Sequence, residues 1–134
     1  MIEECVNLPE PTNVALLINS LYSNEFRCLS IKKKQWQVYK DDKWIDIEEG
    51  YLLYNRISKD ILNLFEVYLI NLEEKNLELR KDILENENMD LKELQESNLR
   101  KISNCRKLCK LLKNTTFKNK VMKEAAMLLY VTLC

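Results

Sequence analysis

The chain has no histidine, a single glycine and two prolines among its 134 residues. Each shortage removes something. Histidine is the commonest general base near neutral pH and the commonest metal ligand, so an enzymatic site starts from a poor position. One glycine cannot build a phosphate-cradling loop, which excludes a self-contained ATPase of the usual loop type. Chain reversals must come instead from Asn, Asp, Ser and Lys. Long apolar runs are missing as well. Ile61 to Leu72 is interrupted by Asn63, Glu66 and Asn71 and falls far short of the roughly 20 residues a membrane span needs. It reads as a buried core helix, and no membrane partner is expected.

Neither sign of charge is in excess: 21 basic and 21 acidic residues leave a formal net charge of zero. No global field draws the molecule onto nucleic acid or an anionic surface. Local asymmetry is marked, however. Between Glu96 and Glu124 there is no acid, while Arg100, Lys101, Arg106, Lys107, Lys110, Lys113, Lys118, Lys120 and Lys123 fall in that interval. The preceding segment from Glu73 to Glu96 is predominantly acidic. With 46% hydrophobic and 31% charged residues, the composition belongs to a helix-rich globular domain able to bury a core without covalent staples.

Cys5, Cys28, Cys105, Cys109 and Cys134 are odd in number and scattered, and the N-terminus lacks the basic-then-apolar pattern of a secretory leader. An intracellular, reducing location follows as an expectation. Cys105 and Cys109 sit four apart on a helix and could offer two thiolates to zinc, but zinc wants four ligands, and the ordinary role of cysteine as a small buried apolar group is the stronger reading. A catalytic thiol lacks its histidine. Glu73, Glu74, Glu78, Asp82, Glu85 and Glu87 alternate with Lys75, Arg80 and Lys81 at salt-bridging spacing, which describes a solvated helix face rather than a metal site. No catalytic residue, metal site or cofactor is therefore expected.

Hydrophobic periodicity divides the chain. Residues 1–11, with Pro9 and Pro11 at the end, read as an irregular lead-in, and 12–134 as one domain. A helix starts near Thr12 or Asn13, either of which can cap it, buries Val14, Leu17, Ile18 and Leu21, and ends around Ser23. From Phe26 to Ile47 the period switches to two, giving a three-stranded meander with turns at Lys32, Lys33 and Lys34 and at Asp41 and Asp42. Gly50 marks the hand-over to helix, where unusual backbone angles are often needed.

A second helix runs from about Tyr51 to Leu72, with Leu53, Ile57, Ile61, Leu64, Phe65, Tyr68 and Leu72 inward. Glu73 to Asn88 either continues it or forms a separate helix, and residues 86–90 form the connection. A third helix, from about Leu91 to Leu112, turns Leu91, Leu94, Ile102, Cys105, Cys109 and Leu112 to one side. Asn114-Thr115-Thr116 breaks the pattern, with a threonine cap, before a last helix from Phe117 to about Tyr130 that buries Phe117, Val121, Ala125 and Leu128. The fold class expected is α+β, a small three-stranded antiparallel meander packed on a bundle of four to five helices.

Lys101, Arg106, Lys107, Lys110, Lys113, Lys118 and Lys120 are the best candidate nucleic-acid contacts, since cationic side chains on phosphates release condensed counterions and give sequence-independent affinity. Lys32, Lys33 and Lys34, with Gln35, Trp36 and Lys43, form a second patch with an aromatic able to stack on a base. The bland alternative for the basic run is a solvated helix face. Trp36 and Trp44 themselves read as core.

The order of elements resembles the module joining primase to helicase in the replicative primase-helicases of poxviruses and other large DNA viruses. The resemblance is carried by the helix from Thr12-Asn13-Val14-Ala15 to Leu21-Tyr22, the strand Phe26 to Ile31, the spaced aromatics Trp36, Tyr39 and Trp44, the start Ile57-Ser58, and the segment Leu112 to Glu124. Asp42 and Lys43 stand where family members often carry histidine and arginine. In that family the module lies before a superfamily-three helicase working as a hexameric ring, towards whose nucleotide-binding motifs the family runs on. The resemblance implies a non-catalytic, DNA-contacting helper of an NTP-dependent motor. Its implied partners are single-stranded or forked DNA and the primase and helicase domains of the same enzyme, at viral replication sites in host cytoplasm or nucleus. A helical protein-interaction module, a possible homo-oligomer without nucleic-acid binding, is the alternative.

Overall fold

The computed structural model describes residues 1–85 and 89–133. Its elements run α1 (Ile2–Asn7), α2 (Pro11–Tyr22), β1 (Phe26–Ser30), β2 (Gln35–Lys40), β3 (Lys43–Glu48), α3 (Tyr51–Arg56), a π-helical turn (Ile57–Ile61), α4 (Leu62–Glu85), α5 (Met89–Leu111) and α6 (Thr115–Leu128). This is the expected α+β arrangement, an antiparallel meander in the order β1-β2-β3 among helices.

The lead-in is not irregular. Ile2–Asn7 forms a helix because Cys5 and Val6 are fully buried in the core, and burial of apolar area outweighs weak local propensity. The cap of α2 also differs from expectation. Pro11, whose fixed φ suits a first helical position, begins the helix, and Asn13 donates its side-chain amide to the Leu8 carbonyl at 2.9 Å. At the other end of the chain Asn114, not a threonine, caps α6, its Oδ1 accepting from the Phe117 amide at 2.9 Å.

Strand register follows the alternation. Phe26, Cys28, Trp36 and Val38 face inward and are buried, with Ile45 and Ile47 packed against them. Val38 pairs with Ile45 and Trp36 with Ile47. Lys40 pairs with Lys43, so Asp41 and Asp42 alone make the reversal, both with positive φ (53° and 63°), the geometry of a type I′ hairpin turn. Asp tolerates that region better than most side chains. The free margin of β1 is met by the segment after α6: the Cys28 amide donates to the Leu129 carbonyl and the Val131 amide to the Cys28 carbonyl, both at 3.0 Å.

The helix starting at Tyr51 continues past Leu72 to Glu85, through the π turn. Of the expected connection 86–90, residues 86–88 lie outside the described residues, and Met89 and Asp90 already belong to α5. α4 and α5 form a helical hairpin, and α6 packs on α2. The core gathers residues from α1 through α6, with Phe26, Phe65, Ile18, Leu53, Ile57 and Leu108 among its largest fully buried side chains. Leu21, Leu94 and Leu128, expected inside, are exposed.

Candidate nucleic-acid interface

The β1–β2 turn and α6 face each other across a cleft of about 1240 Å³. Lys33, Lys34 and Gln35 come from the turn, Glu48 and Glu49 from the end of β3, Tyr51 and Tyr54 from α3, and Asn119, Met122 and Lys123 from α6. Trp36 contributes to the lining although it is only 3% exposed.

Local backbone geometry sets these groups in place. Lys34 has φ 51°, which bends the turn, and the Lys33 amide donates to Ser30 Oγ at 3.2 Å. At the opposite wall Glu49 and Gly50 both take positive φ (49° and 71°), swinging the chain from β3 into α3. A Cβ on Gly50 would lie 2.7 Å from Met122 Cε and 2.9 Å from Trp36 Nε1. The one glycine therefore lets sheet, α3 and α6 approach closely at the back of the cleft. Tyr51, 64% exposed, follows at once.

The sequence-selected cations meet different fates. Lys32, Lys33 and Lys34 are all exposed on the turn, and Lys107, Lys110, Lys113 and Lys120 are exposed on or beside α5 and α6. Lys101 is bound to Glu3 at 3.3 Å, and the same carboxylate accepts from the Tyr68 hydroxyl at 2.8 Å, tying α1 to α4 and α5. Those two donors hold the Glu3 carboxyl below its usual range, the tyrosine contributing most. Arg106 pairs with Glu73 at 3.1 Å across the hairpin. Lys118 does not reach the surface as expected. It is 9% exposed, donates to Ser58 Oγ at 3.0 Å in the π turn, and lies 4.8 Å from the Tyr54 ring centre. The acid-free interval thus splits into structural and available cations.

Sequence reasoning missed Tyr51, Tyr54 and Asn119. The signal was present as two tyrosines three apart just after the only glycine, a spacing that puts both rings on one helix face. It also placed both tryptophans in the core. Trp36 belongs there, but Trp44 lies half-buried on the outer sheet face, where the Arg27 guanidinium covers its ring at 4.2 Å and Tyr39 meets it edge-on at 5.2 Å.

The cysteines take the bland role. Cys5, Cys28, Cys105 and Cys109 are buried, with Cys105 Sγ donating to the Phe65 carbonyl at 3.4 Å. Burial pushes the Cys105 thiol up to about 12 and Cys5 to about 11. Neutral thiols of this kind are poor nucleophiles and poor metal ligands. Cys134 lies outside the described residues.

Over 132 residues, 97% of its length, the chain is 33% identical to "Putative helicase L207/L206" of Acanthamoeba polyphaga mimivirus. It spans 12% of that protein's length. The similarity links the chain to helicase-related proteins of large DNA viruses. No family model matches the sequence. No solved structure matches it either.

Proposed function

We propose that this chain is the non-catalytic module of a viral-type replication primase-helicase, contacting DNA and coupling it to the helicase ring. The observation that carries the reading is the cleft, where Lys33 and Lys34 of one element and Lys123 of another converge beside Tyr51 and Tyr54. Ammonium groups on both walls suit a phosphate backbone threaded between them, and an exposed tyrosine offers a face on which an unstacked base can rest. Glu48 and Glu49 stand on the same rim. They oppose the dense charge of a duplex more than that of a single strand, so single-stranded or forked DNA is the preferred ligand. Lys107, Lys110, Lys113 and Lys120 supply the outer phosphate contacts. The match of nearly the whole chain to a short stretch of a far longer protein named as a helicase supports a helper role beside a motor.

A salt titration with fluorescent single-stranded and duplex oligonucleotides tests this. The seven lysines named give a slope of log K against log salt near −5, at roughly 0.7 per phosphate for single strands, of which the three in the cleft account for about −2. Salt-independent affinity, or no binding at low ionic strength, overturns the proposal.

A further inference from the structure

The outer side of α4 carries an apolar row that the fold leaves uncovered. Ile70, Leu77 and Leu84 follow at intervals of seven and are 55%, 56% and 79% exposed. Seven residues are close to two helical turns, so the three make one line along the helix. Leu77 also lines a groove of about 460 Å³ between α4 and α5, together with the half-exposed Leu99. Asn76 lines it too: it is 8% exposed, and its Oδ1 meets no donor.

Charge identifies the occupant. Glu73 and Arg80 flank the row on one side, Glu74 and Lys81 on the other, as helical spacing from Ile70 and Leu77 dictates. Among the described residues Glu74, Arg80 and Lys81 have no ion-pair partner in their own chain, and Glu73 has Arg106. Consider a second copy of α4 related by a two-fold axis through Leu77 and running antiparallel. Leu77 then meets its own counterpart and Ile70 meets Leu84. Glu73 falls opposite Arg80, and Glu74 opposite Lys81, each twice. A parallel copy sets Glu73 against Glu74 and Arg80 against Lys81, like against like. The pattern is self-complementary in one orientation and repulsive in the other.

We propose that the outer face of α4 is a homodimerisation surface, on which a second copy of this chain docks antiparallel with Leu77 on the two-fold axis. One helix row from each copy makes a contact at the small end of stable interfaces, so the dimer is reversible and concentration-dependent.

Sedimentation equilibrium of the full chain over a concentration series reads the association. Lys81→Glu weakens it at least tenfold, and the double variant Glu74→Lys with Lys81→Glu restores it. The register is read separately by mild oxidation: Leu77→Cys gives a cross-linked dimer, whereas Ile70→Cys, facing Leu84, does not. A chain that stays monomeric throughout, a double variant that fails to recover, or equal cross-linking at positions 70 and 77 overturns the proposal. DNA affinity is not a readout here, so the two proposals fail independently.

Discussion

Lys118 Nζ lies 3.0 Å from Ser58 Oγ and 4.8 Å from the centre of the Tyr54 ring, so a lysine inside the acid-free interval braces α6 against the π turn. Lys118→Met keeps the buried stem and loses the hydrogen bond and the ring contact, a cost of about 1–2 kcal/mol. Urea unfolding is expected to show that loss while DNA affinity stays unchanged. A variant of native stability with weakened DNA binding would return Lys118 to the interface.

Gly50→Ala is expected to be far more damaging than its size suggests. The new methyl must occupy a positive-φ position and displace Met122 and Trp36, a strain of roughly 1–3 kcal/mol. Thermal unfolding should fall by about 5–10 °C. An unchanged midpoint would mean that the sheet-to-helix junction relaxes freely.

Asn76→Leu should raise stability. The orphaned carbonyl oxygen is removed from the α4–α5 seam and replaced by apolar contact with Ile102 and its neighbours, a gain of about 1 kcal/mol. Chemical denaturation monitored by helical signal measures it, and a loss of stability would show that Asn76 has a partner in solution.

Charge reversal separates available from structural cations. Lys33→Glu, Lys34→Glu and Lys123→Glu should each weaken binding to single-stranded DNA and lower the salt slope by about 1 or less. Lys101→Met instead should cut the link to Glu3 and leave the slope intact. If all four variants behave alike in fluorescence anisotropy, the cleft is not the contact.

The buried thiols and Tyr68 make the fold alkali-sensitive. Burial pushes Cys5, Cys105 and Tyr68 up to about 11, 12 and 12, above their ordinary values of 9.0, 9.0 and 10.0. Their contribution is complete below pH 9 and is lost as pH rises from there to 12. Urea midpoints measured between pH 7 and pH 10.5 should be flat at first and then decline. Cys105→Ala should flatten the decline.

Much of this architecture was legible in the residues. The switch to a period of two from Phe26, the reversal at Asp41 and Asp42, and the role of Gly50 could be read because local geometry dictates them. The helix at Ile2–Asn7 could not, since six residues hold a helix only through the burial of Cys5 and Val6, a tertiary effect. Lys118 and Lys123 looked alike in sequence, both cations on one helix. Only the position of Ser58 and Tyr54 beneath the first distinguishes them. Trp44 misled for a related reason: indole area can be shielded by an arginine on an outer face as well as by a core.

The two backbone hydrogen bonds that tie Cys28 to Leu129 and Val131 close off one rim of the sheet. An unpaired strand margin is a template for foreign chains, and this one has been filled from within. The opposite rim, β3, carries Lys43, Asp46 and Glu48, charges that discourage strand-to-strand aggregation. Removal of residues 130–133 would strip the Cys28 carbonyl of its Val131 donor and open that rim to pairing with a foreign strand.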